Sequence, residues 1–268
     1  MPRGPAVPSA GADSVVWQVA RERALLLGGP SALLLQLAHP LVAAGVAQHS
    51  DFRSDPRRRL ARTMDATLAI TFGDADQAAA AAAATRQVHR TVTGELPIAQ
   101  GSWPAGTRYR ATDPQLALWV FATLVETALD AYELFVRPLT HDARSRYYAE
   151  SESFAAAFGV RPPVLPASYE DFRRYYEGMI RDRLVVAELA RENSGRVLRA
   201  RLWGIPVTVP AAVLAALLLP ASLRQAYRLP PVSRAAAWPV RTAVRSLPPS
   251  LRYWPEYHRA VQHSQAEG

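Results

Sequence analysis

The stretch that decides the fold is QLAHPLVAAGVAQHSDFRSDPRRRLARTMDATLAITFGD, residues 36–74. It contains two of the six histidines of the chain, His39 and His49, and five arginines within residues 53–62. Apolar residues then recur with a helical period as far as Phe72, which is typical of an amphipathic helix. The stretch therefore predicts a helix that carries cations near its start.

Local residues mark both ends of this helix. Ser54, Asp55 and Pro56 form a start, with Asp55 as the N-cap residue and Pro56 at the first helical position. Gly73 marks the end. Arginines 57–59 fall in the first turn, where cations oppose the helix dipole. We therefore expect an anionic group beside this turn, either nearby carboxylates or a ligand.

The rest of the chain reads as helices separated by proline-rich turns, and no run alternates as a strand would. Residues 94–113 are predicted to form a long irregular loop. Helices without strands predict an all-α protein. We expect a single multi-helix domain over residues 14–260, after a disordered lead-in (1–13) and before a frayed tail (261–268). The predicted helices cover residues 14–27, 31–39, 41–48, 56–72, 75–92, 114–136, 141–158, 169–190, 210–218 and 239–246.

The composition excludes several kinds of chemistry. All 31 basic residues are arginine, and there is no cysteine. Without lysine, a Schiff-base enzyme and a phosphate-binding loop with its lysine are excluded. Without cysteine, thiolate-ligated haem, cysteine-ligated iron–sulfur clusters, disulfides and cysteine nucleophiles are excluded. Any metal or haem ligand must therefore be histidine, carboxylate, tyrosine or methionine.

The net charge of +8 suits an acidic partner such as nucleic acid, an anionic membrane face or an anionic cofactor. The arginines are spread over the whole chain, without a recognition helix, zinc finger or basic tail, so we expect no nucleic-acid partner. The start of the chain lacks the apolar core of a signal peptide, and we expect a cytoplasmic protein. The apolar run 205–219 is shorter than a span of about 20 residues. It predicts a buried or membrane-touching helix, and with the latter a peripheral membrane contact.

Three side chains of the arginine-rich helix are candidates for a site. Arg59, Arg62 and Thr63 are spaced i, i+3 and i+4, so they share one helix face. Two cations and a hydroxyl on one face can bind an anion or polarise bound oxygen. The alternative is a solvated face whose arginines pair with neighbouring aspartates.

Three histidines are candidate ligands. His89 follows seven consecutive alanines, residues 78–84, whose small side chains would let a flat ligand approach closely. Imidazole ligates haem or metal ions well. The alternative is a histidine that bonds to its surroundings at a helix end. For His39 and His49 the alternatives are a packed and a capping histidine, and no spacing fits a zinc-protease motif.

Three carboxylates, Glu126, Asp130 and Glu133, lie on one face of the predicted helix 114–136. Such spacing is typical of a solvated face. Glu126 is kept as a candidate base because its helix is otherwise very apolar.

Four segments together resemble a known family. They are residues 24–73, VHRTVTG (88–94), GTRYRATDPQLALWV (106–120) and RYYAESESFAAAFGV (146–160). The chain resembles, over most of its length, the domain shared by the latex-clearing rubber oxygenases and the membrane-bound oxygenase of mycophenolic acid biosynthesis. The resemblance implies an all-α fold with a globin-like core, added helices and a non-covalent b-type haem.

The resemblance also implies roles for particular residues. The family's arginine–x–x–lysine–threonine motif falls on Arg59, Arg62 and Thr63, and the proximal haem histidine falls on His89, which would bind the iron. His39 and His49 match family positions and would line the haem pocket.

The chain departs from the family at Arg62, at Phe121 and upstream of the motif. Arg62 stands at the motif lysine, and a guanidinium stays protonated and is a poor iron ligand. Phe121 stands where many relatives carry a histidine. The positions upstream of the motif are alanines, Ala43 and Ala44, so the glutamate proposed for rubber cleavage has no clear counterpart.

The implied function is a haem b-dependent oxygenase that cleaves or oxygenates a hydrophobic, alkene-containing substrate with dioxygen. Arg62 and Thr63 would donate hydrogen bonds to the oxygen, and Arg59 would orient that face or pair with a haem propionate. The alternative is a non-catalytic haem- or lipid-binding protein that associates peripherally with a membrane.

Overall fold

The computed structural model describes residues 11, 13–49, 56–199 and 210–267. The expected N-cap Asp55 and most of the expected lead-in lie outside these residues. The described residues confirm the all-α prediction. The helices are α1 (Val15–Ala20), α2 (Gly29–Leu37), α3 (Pro40–His49), α4 (Pro56–Phe72), α5 (Ala75–Thr91), α6 (Pro114–Phe135), α7 (His141–Glu150), α8 (Glu152–Ala157), α9 (Tyr169–Asp182), α10 (Glu188–Arg199), α11 (Ala211–Leu218), α12 (Ala221–Ala226), α13 (Trp238–Ser246), α14 (Pro249–Arg252) and α15 (Pro255–Glu267).

Several predicted boundaries were wrong. The predicted helix 141–158 is divided into α7 and α8 at Ser151, whose hydroxyl donates to the carbonyl oxygen of Tyr147, a bond that tends to bend helices. The predicted helix 169–190 ends with α9, and α10 begins six residues later. The first predicted helix consists of α1 and a separate 3-10 turn, Arg23–Gly28.

The predicted irregular loop contains a small antiparallel sheet. Its strands are β1 (Thr93–Glu95) and β2 (Arg108–Arg110), with Gly94 opposite Tyr109. Tyr109 is buried, and its hydroxyl donates to Oε1 of Gln48 at 2.7 Å. A Cβ at Gly94 would lie 2.5 Å from the Tyr109 hydroxyl oxygen. The absence of a side chain at Gly94 therefore lets the tyrosine ring cross the strand.

Helix α6 runs through the main core. Trp119, Phe121 and Phe135 on this helix are almost fully buried, and the same core cluster includes residues from Val15 to Val244. Buried residues of α4, α5 and α15 belong to two separate smaller clusters, so the α4–α5 hairpin lies outside the main core.

A buried ion pair joins the early and late parts of the chain. Glu22 is fully buried, and Arg252 donates from Nε and Nη2 to its two carboxylate oxygens at 2.7 Å each. Glu22 also forms an antiparallel bridge with Tyr253. The backbone N–H of Trp254 donates to the carbonyl oxygen of Arg21 at 3.1 Å. This contact fixes α14 against the start of the fold.

The described part of the apolar run 205–219 is buried. In α11, Leu214, Ala215 and Ala216 have no exposed surface, and the helix packs on α2 and α10. Of the two predicted alternatives, the structure supports the buried helix for these residues. No single helix among the described residues is long and apolar enough to cross a membrane. Taken together, the bent pair Arg23–Leu37 and Pro40–His49 has the length and the apolar composition of a membrane span, and no other property of the pair indicates one.

Candidate functional site

The basic motif and His89 lie on the two helices of one hairpin. Only Gly73 and Asp74 separate α4 from α5, and the two helices pack along each other. The Asp74 side chain caps α5. A Cβ at Gly73 would lie 2.4 Å from the carbonyl oxygen of Ala69, so the tight turn needs a glycine. Because both helices rise equally per residue from this turn, positions 58 and 59 of α4 lie level with His89.

His89 faces inward on α5. His89 follows Ala82 by seven residues, so it lies on the same side of the helix as the buried Ala78 and Ala82. The His89 side chain is half-buried. Its ring centroid lies 6.4 Å from that of Phe158, just after α8. Burial lowers the pKa of His89 below its usual 6.5. The imidazole is therefore neutral at pH 7 and keeps a nitrogen lone pair for a ligand.

Arg62 and Thr63 are exposed on α4. The carbonyl oxygen of Thr63 accepts a hydrogen bond from the Thr67 hydroxyl at 2.9 Å. Arg59 belongs to the same helix, but its side chain lies outside the described part of the structure. The predicted shared face is present in the helix, and its exposure suits both a solvated face and a ligand that lies over α4.

His39 is a packed histidine. It is 3% exposed between α2 and α3, and its ring centroid lies 5.0 Å from that of Trp103. Burial, with a smaller effect from the cation of Arg183, lowers the pKa of His39 to about 4. Its Nδ1 has no hydrogen-bond partner among the described residues. A role in lining a haem pocket stays a prediction.

His49 contacts the sheet. It lies exposed at the end of α3, with Nε2 2.7 Å from the carbonyl oxygen of Thr93. Its ring meets that of Tyr109 edge-on at 6.4 Å. These contacts join the end of α3 to the sheet, and its predicted place beside a haem stays a prediction.

The structure places the carboxylates of α6 at a pocket of about 430 Å³, which sequence reasoning missed. Glu126 is 2% exposed and pairs with Arg173, and its Oε1 has no partner among the described residues. Burial raises the pKa of Glu126, and the neighbouring cation of Arg173 lowers it by less, so that the pKa lies at about 7. Glu126, which the apolar context of its helix set apart as a candidate base, is thus buried rather than on a solvated face. The polar residues that line the pocket are Glu126, Asp130, Glu133, His141, Arg144, Tyr169, Glu170 and Arg173.

A second pocket of about 490 Å³ lies beside β1 and β2. Neither of these two pockets is lined by Arg62, Thr63 or His89. The predicted site and the carboxylate pocket are therefore separate places on the molecule. The only sequence indication of the carboxylate pocket was the apolar context of Glu126.

We expect Glu126→Gln to change how stability depends on pH. The folded protein keeps a proton on Glu126 up to a pH of about 7, whereas the unfolded chain loses it near 4.5. The free energy of unfolding of the wild type therefore falls as pH rises between these values. The variant lacks this fall. At about 1.4 kcal/mol per pKa unit, its stability relative to wild type should rise by up to about 3 kcal/mol between pH 4.5 and 8.

Urea unfolding at the two pH values measures this difference. Glu177→Gln is the control, because it removes the exposed carboxylate that also pairs with Arg173. The control should show no such rise. An equal stability difference at both pH values for Glu126→Gln would show that Glu126 does not titrate in this range.

The residues around His89 fit a haem by their donor chemistry. A haem iron takes its remaining ligands from the porphyrin nitrogens and needs one protein imidazole, which burial keeps neutral at His89. The alanines of α5 leave little bulk beside it. The described residues hold no group of three or more His, Cys, Asp or Glu for a bare metal ion, and a haem does not require one.

These features define an all-α protein with a histidine-centred candidate site on a helical hairpin. Residues 16–248 match the family described as ER-bound oxygenase mpaB/B'/rubber oxygenase, catalytic domain. The chain belongs to this family of oxygenase catalytic domains.

Two curated relatives are an uncharacterized protein of Mycobacterium tuberculosis, Rv2237, and one of Mycobacterium bovis, Mb2261. Each is 28% identical over 158 residues, which cover 55% of this chain and 58% of the relative. The chain thus spans little more than half the length of these relatives. No solved structure matches the chain, so the globin-like character of the core stays a prediction.

Proposed function

We propose that this protein is a haem b-dependent oxygenase that acts on a hydrophobic, alkene-containing substrate. The observation that carries the proposal is the neutral, half-buried imidazole of His89 on a helix packed against the helix of Arg62 and Thr63. Membership of a family of oxygenase catalytic domains supports the same chemistry.

Each residue of the hairpin has a role in this proposal. His89 holds the iron of a non-covalent haem b, which supplies the redox chemistry for dioxygen when bound. Arg62 and Thr63 donate hydrogen bonds to the oxygen substrate, where the permanently charged guanidinium stabilises negative charge. Arg59 orients this face or pairs with a propionate, and His39 and His49 line the pocket.

The proposed overall reaction is oxidative cleavage of a carbon–carbon double bond. One dioxygen molecule and one alkene give two carbonyl products, so each former alkene carbon gains one oxygen atom. The two electron pairs of the double bond reduce both oxygen atoms, and no external reductant is needed. Addition of both oxygen atoms to an allylic C–H bond, which gives a hydroperoxide without cleavage, is the other outcome within the same proposal and likewise needs no external reductant.

The proposed substrate is a lipid or another hydrophobic small molecule, and we propose a cytoplasmic location with peripheral membrane contact. The residues packed between the hairpin and α8 are isoleucine, alanine and phenylalanine, including Ala82, Ala157 and Phe158. An apolar lining of this kind suits an apolar ligand.

A second candidate function is a non-catalytic haem- or lipid-binding protein. It is favoured by Ala43 and Ala44, which are fully buried upstream of the motif and have no ionisable group. They leave that region of α3 without a carboxylate base.

We expect Thr63→Ala to abolish turnover without loss of haem. The Thr63 side chain is exposed, so its loss should leave folding intact. Loss of one hydrogen-bond donor to developing charge lowers turnover by about 100-fold or more. Oxygen uptake is measured with squalene as the probe on protein expressed with haem, and bound haem is quantified from the absorption spectrum.

Thr242→Ala, an exposed threonine on α13, is the matched control and should keep full oxygen uptake. Equal uptake by Thr63→Ala and wild type would remove Thr63 from the mechanism. Haem binding by the wild type without uptake on squalene or unsaturated fatty acids would favour the non-catalytic protein.

A further inference from the structure

Helix α13 has an exposed face that combines an indole with cations. Trp238, Arg241 and Arg245 are spaced i, i+3 and i+7 and all are exposed, with Trp238 65% exposed. On the opposite side of the helix, Val240 and Val244 are buried, and α13 packs on α6. The helix is thus anchored by its valines and presents Trp238, Arg241 and Arg245 to solvent. We call these three residues the α13 face.

The segment of sequence that carries the α13 face contains no anion of its own. The sequence has no aspartate or glutamate between Glu192 and Glu256. The described residues give Arg241 and Arg245 no carboxylate partner. By contrast, the exposed arginines of α9 pair with neighbouring aspartates. The cations of the α13 face are therefore available to an external anion.

A second large apolar side chain is exposed on the next helix. Leu251, on α14, is 56% exposed. Trp238 and Leu251 are two of the few large apolar side chains that the described residues leave in water, and both belong to the segment of sequence without carboxylates. Exposed apolar groups beside cations are typical of a surface that meets the interface of a bilayer.

We propose that the α13 face docks on an anionic lipid bilayer. Arg241 and Arg245 bind lipid phosphates through their guanidinium groups, and Trp238 inserts its indole at the level of the headgroups. Leu251 supplies a second exposed apolar side chain on the next helix. The proposed membrane contact is on α13 and not on residues 205–219, because the described part of that run is buried.

The chemistry of the face favours lipid over nucleic acid. Two arginines on a helix of nine residues neutralise few phosphates, and nucleic-acid affinity rises with the number neutralised. An indole and an isobutyl group gain more from a bilayer interface than from a phosphate backbone. The proposal does not depend on haem, so it can hold or fail independently of the oxygenase activity.

Co-sedimentation of the full chain with vesicles tests the proposal. The vesicles contain phosphatidylcholine with about 30 mol% phosphatidylglycerol, or phosphatidylcholine alone. The wild type should bind only the anionic vesicles and should be released by about 0.5 M salt. Arg241→Ala/Arg245→Ala should bind about 25-fold more weakly, roughly fivefold per arginine. Trp238→Ala should bind about tenfold more weakly.

Arg174→Ala/Arg181→Ala is the matched control. It removes the same charge from exposed arginines of α9 that pair with Asp171 and Asp182, and it should bind as the wild type does. Equal losses in both double variants would show that net charge alone drives binding and would overturn the proposal. The proposal would also be overturned if the wild type did not bind anionic vesicles, or if it bound a DNA duplex through Arg241 and Arg245 instead. All replaced side chains are exposed, and circular dichroism confirms the fold of each variant.

Discussion

His89→Ala should abolish the Soret absorption band of protein expressed with added haem. His89 is the half-buried imidazole on the inward face of α5, and burial keeps it neutral and able to bind iron. A non-covalent haem without its protein ligand keeps only apolar contacts. We expect the variant to lose most of its haem or to show a shifted Soret band, measured by absorption spectroscopy of equal amounts of protein.

His141→Ala is the matched control for this experiment. His141 lies on α7, its side chain is 74% exposed, and it pairs with Glu170, so its removal should leave the spectrum unchanged. An unchanged spectrum in His89→Ala would place the iron ligand elsewhere, with His39 the next variant to make. A wild type without a Soret band after haem supplementation would overturn the haem proposal itself.

Arg252→Ala should destabilise the fold more than removal of any exposed arginine. The Glu22 side chain has no exposed surface, and the Arg252 side chain is only 20% exposed. Without the guanidinium, a buried carboxylate remains uncompensated, and breaking such a pair costs about 3–5 kcal/mol. The free energy of unfolding from urea denaturation measures this loss.

Two further variants separate the buried pair from general effects of charge. Arg259→Ala removes an arginine that pairs with Glu256 three residues earlier, and its side chain is 67% exposed. This change should cost at most about 1 kcal/mol. Glu22→Gln combined with Arg252→Ala should recover part of the stability, because no buried charge remains. A loss below about 1 kcal/mol in Arg252→Ala alone would contradict the role of the pair.

Local sequence determined helices α4, α5 and α6, but it did not predict α12, α14 and α15. The start of α6 at Pro114 and the capping of α5 by Asp74 depend on residues within one turn of each helix end. The glycine turn between α4 and α5 is equally local. The spacing of Arg59, Arg62 and Thr63 on one face follows from helix geometry alone. For these features the chain needs no information from distant residues.

Only the tertiary structure decided which groups are buried and what they contact. The carboxylates of α6 have the spacing of a solvated face, yet Glu126 is buried because α9 brings Arg173 against it. His39 is buried under Trp103, more than sixty residues away in the chain. The apolar helix α11 was a candidate for membrane contact from its composition, yet it is buried. The exposed apolar side chain is instead Trp238 on α13. Burial depends on which surfaces meet after folding, and that information is absent from the local pattern of any one helix.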